Sequence, residues 1–281
     1  MPSWRVPIPT DAAAKRATVP DIRARKGRQK IACLTAYTAP VAALLDPHVD
    51  LLLVGDSVGM VMHGLPDPTG VTLEMMIMHG RAVVRGASRA LVVVDLPFGT
   101  FEASHEQAFV SAVRVIKETG CQAVKIETGE GLAGTVAFLV QRGVPVMGHV
   151  GLRPQAVHVD GGFRAKGRTL DERARVIGEA KAVDKAGAFA IVLEGVSADL
   201  AEEITGMVQA PTIGIGASPA CDGQILVTDD MLGMAGRVPK FVRRYANIGP
   251  AIAEAAERYA QDVRSGAFPS EQELYRLKPD A

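Results

Sequence analysis

Cysteine is scarce in this chain, and Cys33, Cys121 and Cys221 are far apart, odd in number and free of any CxxC spacing. That pattern argues against a disulfide framework or a thiolate zinc site, and Cys33 reads as a small apolar core residue. Charge of one sign is also missing: 31 Lys and Arg stand against 31 Asp and Glu among 281 residues. A nucleic-acid binder carries a basic footprint that this chain lacks. No apolar run approaches the roughly 20 residues that span a bilayer, so no membrane-embedded segment is expected. The stretch MPSWRVPIPTDAAAKRATVPDIRARKGRQK has no apolar h-region, which argues against a secretory signal. Its Arg and Lys content leaves an organelle-targeting arm open, with Asp11 and Asp21 counting against one. There is no internal linker, low-complexity tract or repeat.

What is present is a regular alternation of apolar runs and helical patterns. Strands are predicted at 31–36, 51–54, 91–95, 123–126, 144–149, 190–193, 211–215 and 225–227, the last one weak. Helical patterns fall between them at 39–45, 73–85, 104–119, 132–142, 170–186 and 199–208, and a final amphipathic segment covers 248–265. Ser104 suits an N-cap and Gly120 the matching C-terminal end. Eight strand-like runs with intervening helices match a (β/α)8 TIM barrel, with an open doubly wound sheet as the runner-up. Residues 1–28 read as an irregular, proline-containing arm, 29–265 as one barrel domain including the C-terminal helix, and 266–281 as a tail.

Four of the apolar runs end in an acid: LLLVGDS at Asp56, LVVVDLP at Asp95, AVKIETGE at Glu127 and AIVLEG at Glu194. Strand ends of one polarity share one rim of an α/β fold, where ligands bind. An acid after a strand often only caps the next helix, but Glu127 and Glu194 sit directly against apolar strand residues. Several carboxylates on one rim repel one another, and a divalent cation such as Mg2+ would relieve that cost. HExxH and paired-histidine spacings are absent, which argues against zinc. Lys125 and Glu127 lie two apart and share a face. Lys125 is then either a substrate-carboxylate or oxyanion ligand or half of a structural ion pair. His149 is either a substrate contact or a hydrogen-bonded core histidine. His48, His63, His79, His105 and His158 fall in predicted loops or helices and read as non-catalytic.

Gly55-Asp56-Ser57-Val58-Gly59 matches the G-x-S-x-G nucleophile elbow in form. The reading fails because such hydrolases place their histidine late, and no histidine follows His158. Ser57 reads instead as a hydroxyl or backbone donor to substrate. Gly214-Ile215-Gly216 lacks the later glycine of a dinucleotide fingerprint and suits close packing.

Eight segments occur in the order found in ketopantoate hydroxymethyltransferases: VGDSVGM, DLPF, VKIETGE, GHVGLRPQ, GGFRAKGR, VLEGV, IGIGA and DGQILV. The chain resembles that family from about residue 31 to 265. The resemblance implies a (β/α)8 barrel of the phosphoenolpyruvate/pyruvate superfamily type, cytoplasmic and commonly a homodecamer. The implied reaction moves a one-carbon unit from 5,10-methylenetetrahydrofolate to 3-methyl-2-oxobutanoate, giving 2-dehydropantoate for pantothenate and coenzyme A. It implies metal ligands at Asp56, Asp95 and Glu127, and substrate contacts at Asp56, Ser57, Asp95 and Lys125. It further implies a proton acceptor at Glu194 and a histidine near substrate at His149. Thr38, Met78, Thr128 and Arg164 depart from residues common in the family. Rival readings are a Mg2+-dependent 2-oxo-acid lyase or mutase, a Schiff-base aldolase with Lys125 as nucleophile, and a non-catalytic barrel.

Overall fold

The computed structural model describes residues 15–129, 131–234 and 236–275. Residues 1–14 of the expected arm and 276–281 of the expected tail lie outside that set.

Eight strands form a closed, all-parallel barrel: β1 (Ile31–Thr35), β2 (Leu51–Val54), β3 (Leu91–Asp95), β4 (Ala123–Glu127), β5 (Val146–Gly151), β6 (Ala190–Glu194), β7 (Thr212–Ile215) and β8 (Gly223–Leu226). β8 closes onto β1 with Ile31 opposite Gly223 and Leu34 opposite Leu226. The (β/α)8 expectation holds, and the open sheet is excluded.

The helices, in chain order, are α1 (Val19–Arg23), α2 (Ala39–Leu45), α3 (Val58–His63), α4 (Leu73–Gly86), α5 (His105–Thr119), α6 (Ala133–Gln141), α7 (Val157–Asp160), α8 (Leu170–Lys185), α9 (Ala198–Met207), α10 (Thr228–Met231) and α11 (Ile248–Ser265). Hydroxyl caps start several of them. Thr38, Thr72, Ser104 and Thr169 each accept a backbone N–H from the first turn of α2, α4, α5 and α8. Gly120 ends α5 in the left-handed conformation, as its position in the sequence suggests.

The apolar side chains divide into two layers, and this division positions the site. One layer packs helices against the outer strand faces, with Leu52, Val54, Val92, Val94, Val124 and Ile126 among its members. The other fills the barrel lumen with Cys33, Leu51, Leu53, Leu91, Val93, Ala123, Met147, Ala190, Val192, Ile213 and Ile225. Side chains alternate along a strand. Leu91 and Val93 therefore carry Asp95 inward, Ala123 carries Lys125 and Glu127, Met147 carries His149, and Ala190 and Val192 carry Glu194. The apolar lumen thus turns polar at its C-terminal mouth by parity alone.

The structure corrects the expected arm. Residues 19–23 are helical, started by a capping box between Thr18 and Asp21. Ile22 of that helix is fully buried in the lumen layer with Ile31, Leu51 and Leu91. An apolar side chain was needed to close the N-terminal end of the barrel, and α1 supplies it. Short helices α3 and α7 form in the segments after β2 and β5, outside the predicted helical ranges. Strands β4 and β6 include their terminal acids, because the ladder continues through Glu127 opposite His149 and Glu194 opposite Ile215.

The chain divides into two compact units, residues 1–228 and 229–281. The first holds the barrel. In the second, α11 buries none of its residues, and Tyr259 meets Phe268 edge-on with ring centroids 5.4 Å apart. Among the described residues no helix is long and apolar enough to cross a membrane.

Candidate active site

Two short chains of polar side chains occupy the C-terminal mouth. In the first, the Asp56 backbone N–H, just past β2, donates to Asp95 Oδ2 at 3.0 Å. Asp95 Oδ1 lies 2.6 Å from Lys125 Nζ, where register sets the two residues side by side on β3 and β4. A Cβ at Gly55 would lie 2.9 Å from Ser57 Oγ and 3.6 Å from Asp95 Oδ2.

In the second chain, His149 stands between two acids. Its Nε2 is 3.2 Å from Glu194 Oε2 and its Nδ1 is 3.8 Å from Glu127 Oε1. Glu194 is the most open of these groups, with 18% of its side chain accessible against 3% for His149. Five of the seven site residues chosen from sequence are buried here: Asp56, Asp95, Lys125, Glu127 and His149. Ser57 sits at the edge, its Oγ 2.8 Å from the Tyr37 hydroxyl.

Gln155 connects the two chains, and sequence reasoning missed it. It follows β5 in a tight turn, and its backbone N–H donates to Glu127 Oε2 at 3.0 Å. Its Nε2 donates to Asp56 Oδ2 at 2.7 Å and to the Leu96 carbonyl at 3.0 Å. The available signal was a proline and an amide, Pro154 and Gln155, just past the end of a strand. Tyr37 was missed too, although it lies within the AYT segment after β1.

Burial and neighbouring charge shift these groups in opposing directions. Burial pushes the Asp95 carboxyl up to about 6, with Asp56 adding to the rise and Lys125 opposing it. Glu127 is raised well above the usual carboxylate range, first by burial and then by Asp56. Burial alone would lower Lys125, but Asp95, Asp56 and Glu127 outweigh it and hold the ammonium protonated. Burial lowers His149 against the pull of Glu194, so the imidazole is neutral near pH 7. A neutral ring has one N–H, so only one of its two carboxylate neighbours can receive it.

Buried side-chain atoms without a hydrogen-bond partner concentrate here. They are Asp95 Oδ1, Glu127 Oε1, both ring nitrogens of His149 and Gln155 Oε1, with Arg25 Nη1 as the sole other case among the described residues. Asp95 Oδ1 and His149 Nε2 face their neighbours at ion-pair distance without hydrogen-bond alignment. Unpaired buried polar atoms are expensive, and a cluster of them marks a place for a polar ligand, water or an ion. Among the described residues no three His, Cys, Asp or Glu side chains stand ready as a metal cage. The donor set is nonetheless oxygen-rich and anionic. Mg2+ commonly takes one or two carboxylates and completes its shell with water and substrate oxygens, so the site fits that ion.

A cavity of about 670 Å³ lies at the other end of the barrel, lined by residues including Lys15, Arg16, Arg28, His48 and Arg89. None of the seven site residues chosen from sequence lines it.

The geometry defines an acid-rimmed (β/α)8 barrel with a buried lysine and histidine at its C-terminal mouth. Solved structures share the fold. 2,3-Dimethylmalate lyase, a PEP mutase/isocitrate lyase superfamily member, gives a TM-score of 0.56 at 16% identity, covering 92% of this chain and 91% of that one. Phosphonopyruvate hydrolase in complex with oxalate and Mg++ gives 0.59 at 15% identity, covering 92% and 93%. The sequence defines the class more narrowly: residues 16–271 match the ketopantoate hydroxymethyltransferase family, and the chain belongs to it. The 3-methyl-2-oxobutanoate hydroxymethyltransferase of Hyphomonas neptunium is 64% identical over 263 residues, covering 94% of this chain and 96% of that protein.

Proposed function

We propose that this barrel transfers a hydroxymethyl unit from 5,10-methylenetetrahydrofolate to 3-methyl-2-oxobutanoate, giving 2-dehydropantoate, a precursor of pantothenate and coenzyme A. The observation that carries the reading is the cluster of buried polar atoms without a hydrogen-bond partner on Glu127, His149 and Gln155 beside the buried Lys125–Asp95 ion pair. Family membership supports the choice of substrates.

The difficult step is loss of a proton from C3 of the 2-oxo acid. Asp56 and Asp95 would hold Mg2+ directly, and Glu127 directly or through water. Bound there, the ion would stabilise negative charge developing on the substrate oxygens. Lys125, fixed against Asp95, adds positive charge for the substrate carboxylate. Ser57, Asp56, Asp95 and His149 complete the substrate contacts. Glu194 is the most open acid of the mouth and is the proton acceptor, with His149 against it. The apolar lumen beneath closes the site to water from below. Positioning of the nucleophilic carbon against the folate one-carbon unit supplies the remainder.

The Schiff-base rival needs a lysine whose pKa is depressed. Lys125 is shifted the other way by its three carboxylate neighbours, which favours the metal-assisted route.

The decisive assay supplies 3-methyl-2-oxobutanoate, methylenetetrahydrofolate and Mg2+ and omits each in turn. Formation of 2-dehydropantoate only with all three is the expected result. Turnover of the 2-oxo acid without folate would move the chain to the lyase or mutase class. A cytoplasmic location and a homodecameric assembly are part of the same proposal and rest on the family resemblance. Light scattering of the purified chain tests the assembly, with a mass near ten times 29.6 kDa expected.

A further inference from the structure

We propose that Gln155 is a positioning residue that holds Asp56 and Glu127 in the arrangement needed to take up a divalent cation. The inference rests on the reading of the mouth as a cation site and adds a residue outside the acids, lysine and histidine assigned to it.

The local chain is built to deliver this side chain. Gly151, at the end of β5, adopts φ +96°, and a Cβ there would lie 2.4 Å from the Glu194 carbonyl oxygen. Leu152 N–H then donates to that same carbonyl at 2.8 Å, which ties the exit of β5 to the end of β6. Pro154 opens a single 3-10 turn, Pro154–Ala156, where a proline has no N–H to lose and its φ is already suitable. The turn puts Gln155 into the mouth, and only 6% of the residue remains accessible.

The amide has one workable orientation. Its nitrogen meets the Asp56 carboxylate at 2.7 Å and the Leu96 carbonyl at 3.0 Å, and both are acceptors. A flipped amide would bring its oxygen against two acceptors, so both N–H bonds of Nε2 are committed. The backbone N–H reaches Glu127 Oε2 at 3.0 Å. One residue therefore fixes an oxygen of Asp56 past β2, the chain just past Asp95 on β3, and an oxygen of Glu127 on β4. Its Oε1 is buried and has no hydrogen-bond partner among the described residues. An acceptor left open at this place suits a donor brought by the ligand, such as water.

Two of these three links would survive poorly without the side chain. Asp56 Oδ2 would lose a buried donor, and a carboxylate that loses such a bond is free to rotate away from the mouth. Residues that orient metal ligands in this way typically alter affinity by about 10- to 100-fold when replaced.

The test measures Mn2+ binding to the intact chain without substrate, by electron paramagnetic resonance of the free ion. Gln155→Met keeps length and bulk but removes the donors, and Gln155→Ala serves if the methionine variant is unstable. Thermal unfolding of the metal-free variants establishes that they are folded. Asp56→Asn is the control for the cation reading. The expected result is a Mn2+ Kd about 10- to 100-fold weaker in the Gln155 variants. A matching rise in the metal concentration for half-maximal turnover is also expected. A merely structural role would lower the melting temperature and leave Mn2+ affinity at the wild-type value. Wild-type affinity at Gln155→Met with lost affinity at Asp56→Asn overturns the positioning role alone. Wild-type affinity in both variants overturns the cation reading and the role with it.

Discussion

Lys125 Nζ stands 2.6 Å from Asp95 Oδ1, with 6% and 2% of the two side chains accessible. The pair is the centre of the mouth and constrains what can be changed there. Breaking a buried ion pair from one side leaves an uncompensated charge, which costs far more than the pair contributes. Asp95→Ala is therefore expected to destabilise the metal-free chain by about 3–5 kcal/mol. Lys125→Met removes the cation from three converging carboxylates and should abolish measurable turnover. Urea unfolding monitored by circular dichroism reads the first effect, and the product assay reads the second. A drop below about 1 kcal/mol in Asp95→Ala would mean the pair is screened by water.

Glu194 should separate binding from chemistry. Glu194→Gln keeps the size of the side chain and removes its basicity. The rate is expected to fall by a factor on the order of 100 or more, with substrate affinity changed little. Calorimetric titration with 3-methyl-2-oxobutanoate alongside kcat measurement distinguishes the two effects. Unchanged turnover removes Glu194 from the mechanism.

The floor of the barrel offers a test far from the chemistry. Ile22 is fully buried and joins the lumen layer from outside the barrel strands. Ile22→Ala should cost about 2–5 kcal/mol, the range for truncating a buried aliphatic side chain. Equilibrium unfolding in urea measures it. A cost near zero would show that the α1 helix is dispensable to the barrel.

Asp46 yields a pH prediction. It is buried and accepts the N–H groups of Ser88, Arg89 and Ala90 and the Ser88 hydroxyl, at 2.8–3.0 Å. Burial would raise its pKa, but these hydrogen bonds outweigh it and the folded-state value lies below the ordinary one. A depressed carboxylate contributes stability that is present above the unfolded pKa of about 3.9 and is lost as pH falls through the folded value. Asp46→Asn should therefore be less stable than wild type by about 1.5–3 kcal/mol at pH 7. The gap should narrow as pH drops below about 4. A gap independent of pH would show that size and shape, not charge, matter at this position.

Local pattern alone was enough to read the barrel and most of its mouth. Runs such as LVVVD and AIVLE are too short and too apolar for exposed helices, and their regular spacing leaves a parallel barrel as the simplest closure. Strand parity then requires Asp95, Glu127, Glu194 and Lys125 to share the lumen, because each lies an even number of residues from an inward apolar partner. The same parity carries His149 inward. Its contacts with Glu127 and Glu194 depend on register between strands, which no single run encodes. The choice between ion pair and substrate ligand for Lys125 was equally invisible, since Asp95 is distant in sequence and adjacent only across the β3–β4 ladder.

Composition and periodicity by themselves determined a parallel α/β barrel with acids at one rim, because burial and the two-residue repeat are local properties. Tertiary structure decided the rest. Ile22 became a plug because a closed barrel leaves an apolar opening at its floor that the nearest preceding segment can fill. Gln155 became the link between Asp56 and Glu127 because residues far apart in sequence, each ordinary alone, meet only after the eight strands have closed.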